Sequence, residues 1–380
     1  MPPKIPHAGQ MPLKSEKNPG RIRPTVASRP DYPCAVEDRD CVIVPVDSSM
    51  SARSSSYEDF AMSSHASGFQ SVFALIFVVF VASSASADHS VALQGNGKLV
   101  ILAADGSSQW EMPWKGIHDI HVLPSGNLMV QQGGSKVVEI DPKTKQLVWQ
   151  YDSSKQNGNE GKKIEVHSFQ PLENGHVMIA ETTAMRIIEV DRDGNVQKSI
   201  KMKVNKPHPH TDTRLVRKLA SGNYLACHEG DGFVREYDGT GGEVVWEYEV
   251  PMFGREAAPG HGPEAFGNKA FAAVRLPSGN TLITTGNGHS VIEVTPAKEL
   301  VWKFEQKDLP NITLAWVTTV EVLENGNYVI GNCHAGPGNP LLIEINPKSK
   351  QVVWTLDRFD DFGNSVSNSQ ILPSSENVRR

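Results

Sequence analysis

Three residues of this sequence combine reactive side chains with a regular spacing. His118, His167 and Arg214 each lie eight residues before the glycine of a repeated turn, in three successive repeat units. Imidazole nitrogens bind transition metals, and the arginine guanidinium matches carboxylate, sulfate or phosphate groups. At the equivalent position the other units carry different residue types, namely Phe271, Thr318 and Ser367. We therefore expect a site for an anion, a metal or another polar ligand; the alternative is that both histidines bond to backbone or water in a polar channel.

Further candidate ligands lie next to this position or in the loops that lead to it. Asp119 and Asn368 follow it directly in their units, and His334 lies in a glycine-rich loop. Trp316 precedes another leading strand, where an aromatic ring can stack on a planar ligand or a sugar; the alternative for Trp316 is core packing. The predicted ligand-binding residues are His118, His167, Arg214, Asp119, Trp316, His334 and Asn368.

A metal centre is a second form that this site can take. His208, His210 and Asp212 lie close together in one loop segment, and His261 lies in another. Histidine and carboxylate ligands together are typical of a mononuclear centre with nitrogen and oxygen donors. The predicted metal ligands are His118, His167, His208, His210, Asp212 and His261. The sequence leaves the cofactor open, with a divalent metal as a candidate; a surface-loop role is the alternative for His208 and His210.

These residues are far apart in the chain, and a repeat predicts how they meet. Leu123, Leu172, Leu219, Leu276 and Leu323 recur at spacings of 49, 47, 57 and 47 residues, each three residues before a turn glycine. Each unit contains four short apolar segments separated by turn signals such as Ser-Gly-Asn. A four-stranded sheet with two apolar faces buries both when such sheets stack in a closed ring. A period of about 50 residues therefore predicts a β-propeller blade.

The two ends of the repeat region predict how the ring closes. Residues 91–114 supply three strands without a leading strand, and residues 367–372 supply a leading strand alone. Together the two halves complete one blade, and this pairing removes a free sheet edge. We predict an all-β, six-bladed propeller over residues 88–380, which we expect to be a monomer.

Three insertions interrupt the repeat, each directly before a leading strand: Val204–Thr213, Pro251–Asn268 and Lys307–Trp316. Because they occur at the same point of the unit, they should emerge on one side of the disc. Long loops on one face of a repeat array usually form its binding face.

Several conspicuous motifs indicate structure rather than chemistry. Residues 191–195 lack the distal glutamate of a calcium loop, and no helix follows residues 286–288 as a phosphate loop requires, so both are predicted hairpin turns. Cys227 and Cys333 lie far apart in the repeat, and we expect both to be reduced. The tryptophans recur at one position of the unit, which indicates blade packing: Trp110, Trp149, Trp246, Trp302 and Trp354.

The N-terminal part of the chain differs from the repeat region. Val72–Ala82 is an unbroken apolar run, too short to span a bilayer, and Ala85-Ser86-Ala87 forms a cleavage pattern before Asp88. We predict a signal peptide over residues 62–87 and a leader or gene-model extension over residues 1–61. If this signal peptide is cleaved, we expect the chain to be exported to the periplasm or cell surface with no permanent membrane span. The alternative is that the apolar run stays uncleaved as a membrane anchor.

The repeat resembles a known family. The segment Val-Val-Trp-x-Tyr at the end of a four-stranded unit resembles the quinoprotein-like (PQQ-like) propeller repeat, and His-Asp-Ile-x-x-Leu-Pro-x-Gly-Asn is similar to repeats of bacterial arylsulfotransferase propellers. The histidine- and glycine-rich loops resemble exported bacterial propellers described as surface-layer-like. This resemblance covers residues 91–377 and implies the fold. The quinoprotein-like family includes enzymes that bind pyrroloquinoline quinone, but the clustered carboxylates of those enzymes are missing from this sequence.

The composition narrows the class of partner. The net charge of −6 argues against nucleic acid, because such proteins usually carry a basic face. We predict an exported binding protein of the cell envelope, whose partner is a small polar or anionic ligand, an envelope protein or a glycan. The alternative is an enzyme that uses the histidines and arginine for arylsulfotransferase-like group transfer or, less favoured, quinone-dependent oxidation.

Overall fold

The fold is a ring of six antiparallel sheets with four strands each. We describe it from a computed structural model, which covers residues 89–373 and 379–380. These residues belong to one compact unit. The extension and signal peptide predicted for residues 1–61 and 62–87 lie outside the described residues.

The first three blades alternate short strands with tight turns. Blade one has β1 (Ser90–Gly95), β2 (Lys98–Leu102) and β3 (Ser108–Pro113), with β24 (Ser369–Leu372) as its innermost strand. Blade two has β4 (Ile120–Val122), β5 (Leu128–Gln132), β6 (Lys136–Asp141) and β7 (Gln146–Asp152). Blade three has β8 (Val166–Pro171), β9 (Val177–Glu181), β10 (Arg186–Val190) and β11 (Val196–Lys201).

The other three blades follow the same order from inner to outer strand. Blade four has β12 (Val216–Lys218), β13 (Tyr224–His228), β14 (Phe233–Tyr237) and β15 (Val244–Glu249). Blade five has β16 (Ala272–Arg275), β17 (Thr281–Thr284), β18 (Ser290–Val294) and β19 (Leu300–Glu305). Blade six has β20 (Trp316–Val322), β21 (Tyr328–Cys333), β22 (Leu342–Ile345) and β23 (Val352–Leu356). The short helices are a 3-10 turn (Gln306–Asp308) and α1 (Phe359–Phe362).

The ring closes within blade one, as predicted. Strand β24 pairs antiparallel with β1, in a register that runs from Ser90 opposite Leu372 to Leu93 opposite Ser369. Strand β24 also contacts the innermost strands of blades two and six. The predicted six-bladed architecture is therefore confirmed.

The backbone conformation of the turns explains why the repeat has glycine there. Gly126 and Gly222 have φ angles of 87° and 90°, a left-handed conformation that side chains with a Cβ rarely adopt. The two predicted hairpins at residues 191–195 and 286–288 connect β10 to β11 and β17 to β18. Both interpretations are confirmed.

The repeated tryptophans join neighbouring blades. Trp149 lies on the outermost strand beside a register shift, and its Nε1 donates to the Arg192 carbonyl of the next blade at 2.9 Å. Trp302 makes the same bond to the Pro347 carbonyl at 2.9 Å. Blade three has Lys198 at this position, and its Nζ donates to the Gly239 carbonyl at 2.9 Å. The lysine therefore replaces the indole donor, so the contact between blades persists where the tryptophan does not.

A buried polar network holds the inner strands together. The Asp119 carboxylate of blade two is fully buried and receives two bonds from Arg217 of blade four, at 2.8 and 3.0 Å. Asn368 of blade one donates to it at 3.0 Å, and Ser168 of blade three at 3.2 Å. Burial by itself would raise the pKa of Asp119, but the charges and hydrogen bonds of Arg217 and His121 together outweigh it and hold that pKa below its usual range.

Arg380 extends this network towards blade six. Its Nη1 donates to the Ile120 carbonyl at 2.8 Å and its Nη2 to the Ser369 carbonyl at 2.6 Å. Its Nε lies 3.5 Å from the Glu321 carboxylate, which accepts the Ile371 backbone N–H at 3.1 Å. Burial raises the pKa of Glu321 to about 7, although Arg380 opposes the shift.

Replacing Asp119 should destabilise the whole ring. In Asp119→Ala the guanidinium of Arg217 stays buried without its partner, so we expect the free energy of unfolding to fall by about 3–5 kcal/mol. The matched control is Asp193→Ala in an exposed hairpin, for which we expect a change within about 0.5 kcal/mol. Denaturant titration of both variants measures this. Equal effects of the two substitutions would contradict the role of Asp119.

Glu321 should make stability depend on pH. Its pKa is about 7 in the folded protein against an ordinary value of 4.5, so the folded state holds the proton more tightly. Stability should therefore fall as the pH rises, by about 2 kcal/mol between roughly pH 5 and pH 8. Glu321→Gln should remove this part of the slope, which denaturant titration at several pH values measures. The same slope in both proteins would show that Glu321 does not ionise in this range.

Candidate functional site

A cavity of about 1230 Å³ opens where the inner strands begin. Five of the six residues that lie eight positions before the turns line it: His118, Arg214, Phe271, Thr318 and Ser367. The sixth, His167, is buried beside His118, with ring centroids 4.4 Å apart. The structure therefore brings the predicted His118, His167 and Arg214 together.

The insertion loops form the rim of this pocket. Lys206 and His210 come from the first insertion, His261 from the second and Trp316 from the end of the third. All three insertions therefore lie on one side of the ring, as predicted. Each loop contributes polar or aromatic side chains to the rim.

Beside the pocket, next to its lining residues His118 and His210, lies a cluster of imidazoles around a carboxylate. The Glu165 Oε2 lies 3.1 Å from His167 Nε2 and 2.8 Å from His210 Nδ1. The ring of His118 packs against both histidines, with centroid distances of 4.4 and 5.8 Å. Sequence reasoning missed Glu165, because it lies outside the repeated position. Its spacing of two from His167 was the available signal, since residues two apart point to one side of an extended strand.

The surroundings fix the charges of this cluster. Burial lowers the pKa of His118 well below its ordinary value, and the nearby His167 and Arg214 lower it further. Burial also lowers the pKa of His167. The hydrogen bond from His167 holds the pKa of Glu165 below its usual range. At neutral pH His118 and His167 are therefore neutral imidazoles next to the ionised carboxylate of Glu165.

Cations form the adjacent wall. Arg214 pairs with the buried Glu229, and Lys269 Nζ lies 3.2 Å from the same carboxylate. The guanidinium of Arg214 also lies over the ring of Phe271, 5.2 Å from its centroid. Burial alone would raise the pKa of Glu229, but the positive charges of Arg214 and Lys269 keep it low. Glu229 is therefore ionised and shared between two cations.

Another part of the pocket wall is aromatic. His261 stacks on the buried Trp316, with centroids 4.9 Å apart and an interplanar angle of 26°. His334 lies 5.2 Å from His261 and edge-on to Trp316. These three predicted residues form a second cluster, on a different side of the pocket from Glu165. The thiols of Cys227 and Cys333 are both free and buried.

Four predicted ligands have other roles. Asp119 and Asn368 belong to the buried network between inner strands and do not line the pocket, because their polar groups are used between blades. Asp212 accepts the backbone N–H groups of His208 and Thr183, so both of its oxygens hold loops. His208 is exposed, and its Nδ1 accepts the His210 backbone N–H at 3.2 Å. These four residues shape the protein around the pocket.

The fold and repeat together define a six-bladed β-propeller built from PQQ-like repeats. The chain belongs to the family described as outer membrane protein assembly factor BamB, whose model matches residues 95–356. No curated protein matches the sequence. In the described part of the chain, no helix has the length and apolar character needed to cross a bilayer.

Comparison with solved structures finds likenesses at low sequence identity. A protein of unknown function from Bacteroides caccae is 20% identical, with a TM-score of 0.62 over 76% of this chain and 100% of that chain. Virginiamycin B lyase from Staphylococcus aureus is 12% identical, with a TM-score of 0.47 over 72% of this chain and 86% of its own. BamB from Moraxella catarrhalis is 11% identical, with a TM-score of 0.40 over 65% of each chain. These likenesses concern the fold alone, and the similarity to arylsulfotransferase propellers stays a prediction.

Proposed function

We propose that this protein is an exported binding protein of the cell envelope, whose pocket takes a small organic anion. The charge of the pocket wall carries this proposal. Among the described residues, the pocket is lined by four cationic side chains and by one carboxylate, that of Glu229; the cations are Lys115, Lys206, Arg214 and Lys269. The whole chain has the opposite balance, with a net charge of −6. A local excess of cations on an acidic protein attracts an anion to this face.

The pocket also favours a flat, unsaturated ligand. Trp316 and Phe271 provide aromatic surface next to the cations. The buried Thr318 lines the pocket, and its hydroxyl Oγ1 has no hydrogen-bond partner among the described residues. Ligand pockets commonly combine apolar walls with a few such polar groups, which orient the ligand. An aromatic carboxylate or phosphate ester satisfies all three features.

Two observations support the envelope as the location. The family is described by an outer-membrane assembly factor, and the apolar run Val72–Ala82 with its cleavage pattern predicts export. Both observations support the periplasm or cell surface as the location. An envelope protein or glycan that presents an anionic group fits the same face of the ring.

Ligand binding tests the proposal with named probes. We expect benzoate and phenyl phosphate to bind, and uncharged benzyl alcohol to bind at least about tenfold more weakly, because it forms no charge-assisted bond. Lys269→Gln should weaken benzoate binding by about tenfold. The control is Lys348→Gln in an exposed turn, which should bind as the unaltered protein does. Titration calorimetry measures all of these affinities.

The aromatic wall has a separate readout. Trp316→Leu should weaken the binding of phenyl phosphate but not that of inorganic phosphate, since only the former has a ring to stack. Equal affinity for anionic and neutral probes, or no effect of Lys269→Gln, would overturn the proposed function.

A further inference from the structure

The three donor atoms around Glu165 have the spacing of a metal site. The Glu165 Oε2 lies 3.1 Å from His167 Nε2 and 2.8 Å from His210 Nδ1, and all three donors lie within 4.8 Å of one another. In a tetrahedral zinc site with bonds of about 2.0–2.2 Å, neighbouring donors are about 3.3–3.5 Å apart. Small side-chain shifts therefore bring these atoms to the required distances.

The neighbouring groups orient the donors. The Thr213 carbonyl lies 3.0 Å from His167 Nδ1, so it can accept an N–H from this nitrogen when Nε2 exchanges its hydrogen bond to Glu165 for a metal ion. Lys163 Nζ lies 3.2 Å from Glu165 Oε1, so the other oxygen of this carboxylate faces the histidines. Metal-binding histidines typically donate their second nitrogen to a carbonyl or carboxylate in this way. These contacts set the direction of the ligands.

His118 adds an independent observation. Its Nδ1 is buried, and it has no hydrogen-bond partner among the described residues. An unpaired buried nitrogen costs free energy, so native proteins usually satisfy such atoms. The ring of His118 packs against His167 and His210 and lines the pocket. A group bound between these histidines and the pocket would meet this atom.

We propose that Glu165, His167 and His210 bind one divalent transition-metal ion, with His118 next to the coordination position that opens into the pocket. Two imidazole nitrogens and one carboxylate oxygen suit zinc or cobalt rather than calcium or magnesium, which prefer oxygen ligands alone. The inference goes beyond the proposed function, because it does not require that an organic anion binds. The ion would add a positive charge to the wall that already carries Arg214.

Metal titration of the full chain tests this site. After treatment with a chelator, the protein should bind one equivalent of Zn²⁺ by calorimetry, in buffer without organic anions. Co²⁺ should give visible absorption bands of four- or five-coordinate geometry. Glu165→Gln and His210→Ala should each weaken Zn²⁺ binding at least about tenfold, because they remove a ligand. His210 lies on an exposed loop, so its replacement should leave folding intact.

Two matched variants locate the ion. His176→Ala, in the turn between β8 and β9 and outside the cluster, should bind Zn²⁺ as the unaltered chain does. His261→Ala tests the other histidine pair of the pocket and should also leave binding unchanged. No stoichiometric binding, unchanged binding in both Glu165→Gln and His210→Ala, or loss of binding in His261→Ala would overturn the site. Benzoate binding without metal binding would refute this inference and leave the proposed function standing.

Discussion

The structure depends on the burial of sheet faces between neighbouring blades. One hydrophobic cluster joins Leu93 of blade one to Leu356 of blade six, and another joins Met129 of blade two to Phe169 of blade three. Four further clusters are likewise shared between neighbours around the ring. Because no blade has a core of its own, each needs both neighbours, and the pairing of β24 with β1 completes the last of these contacts.

The closed ring places polar groups where water is scarce. The inner strands of the six blades converge, so the first residues of each inner strand face those of the other inner strands across a narrow space. The Asp119 carboxylate satisfies such groups by accepting hydrogen bonds from residues of three other blades, including one from each Nη atom of Arg217. Nearer the insertion loops the space widens into the pocket, and there Thr318 and His118 keep buried polar atoms without partners. Both residues line the pocket, where a bound ligand can supply the missing partner.

The pocket has three chemically distinct sides on one scaffold. The imidazoles near Glu165 suit a metal ion, Arg214 and Lys269 suit an anion, and Trp316 suits a flat ring. Each group comes from a loop or strand end that the rigid blades hold in place. Because different residues serve the metal ion and the anion, separate variants can test metal binding and anion binding.

The sequence alone determined the architecture, because the repeat is a local pattern. The leucine recurs in all six units, and the turn glycine and the tryptophan each recur in five of them. The sequence also singled out His118, His167 and Arg214, since they break that pattern at one position. It could not rank the loop residues, because Asp212 binds backbone N–H groups while His210 faces Glu165, and a sequence gives no direction for a loop side chain. Only the tertiary structure decided that Asp119 joins blades and that Glu165 completes the histidine cluster, since both depend on contacts between residues far apart in the chain.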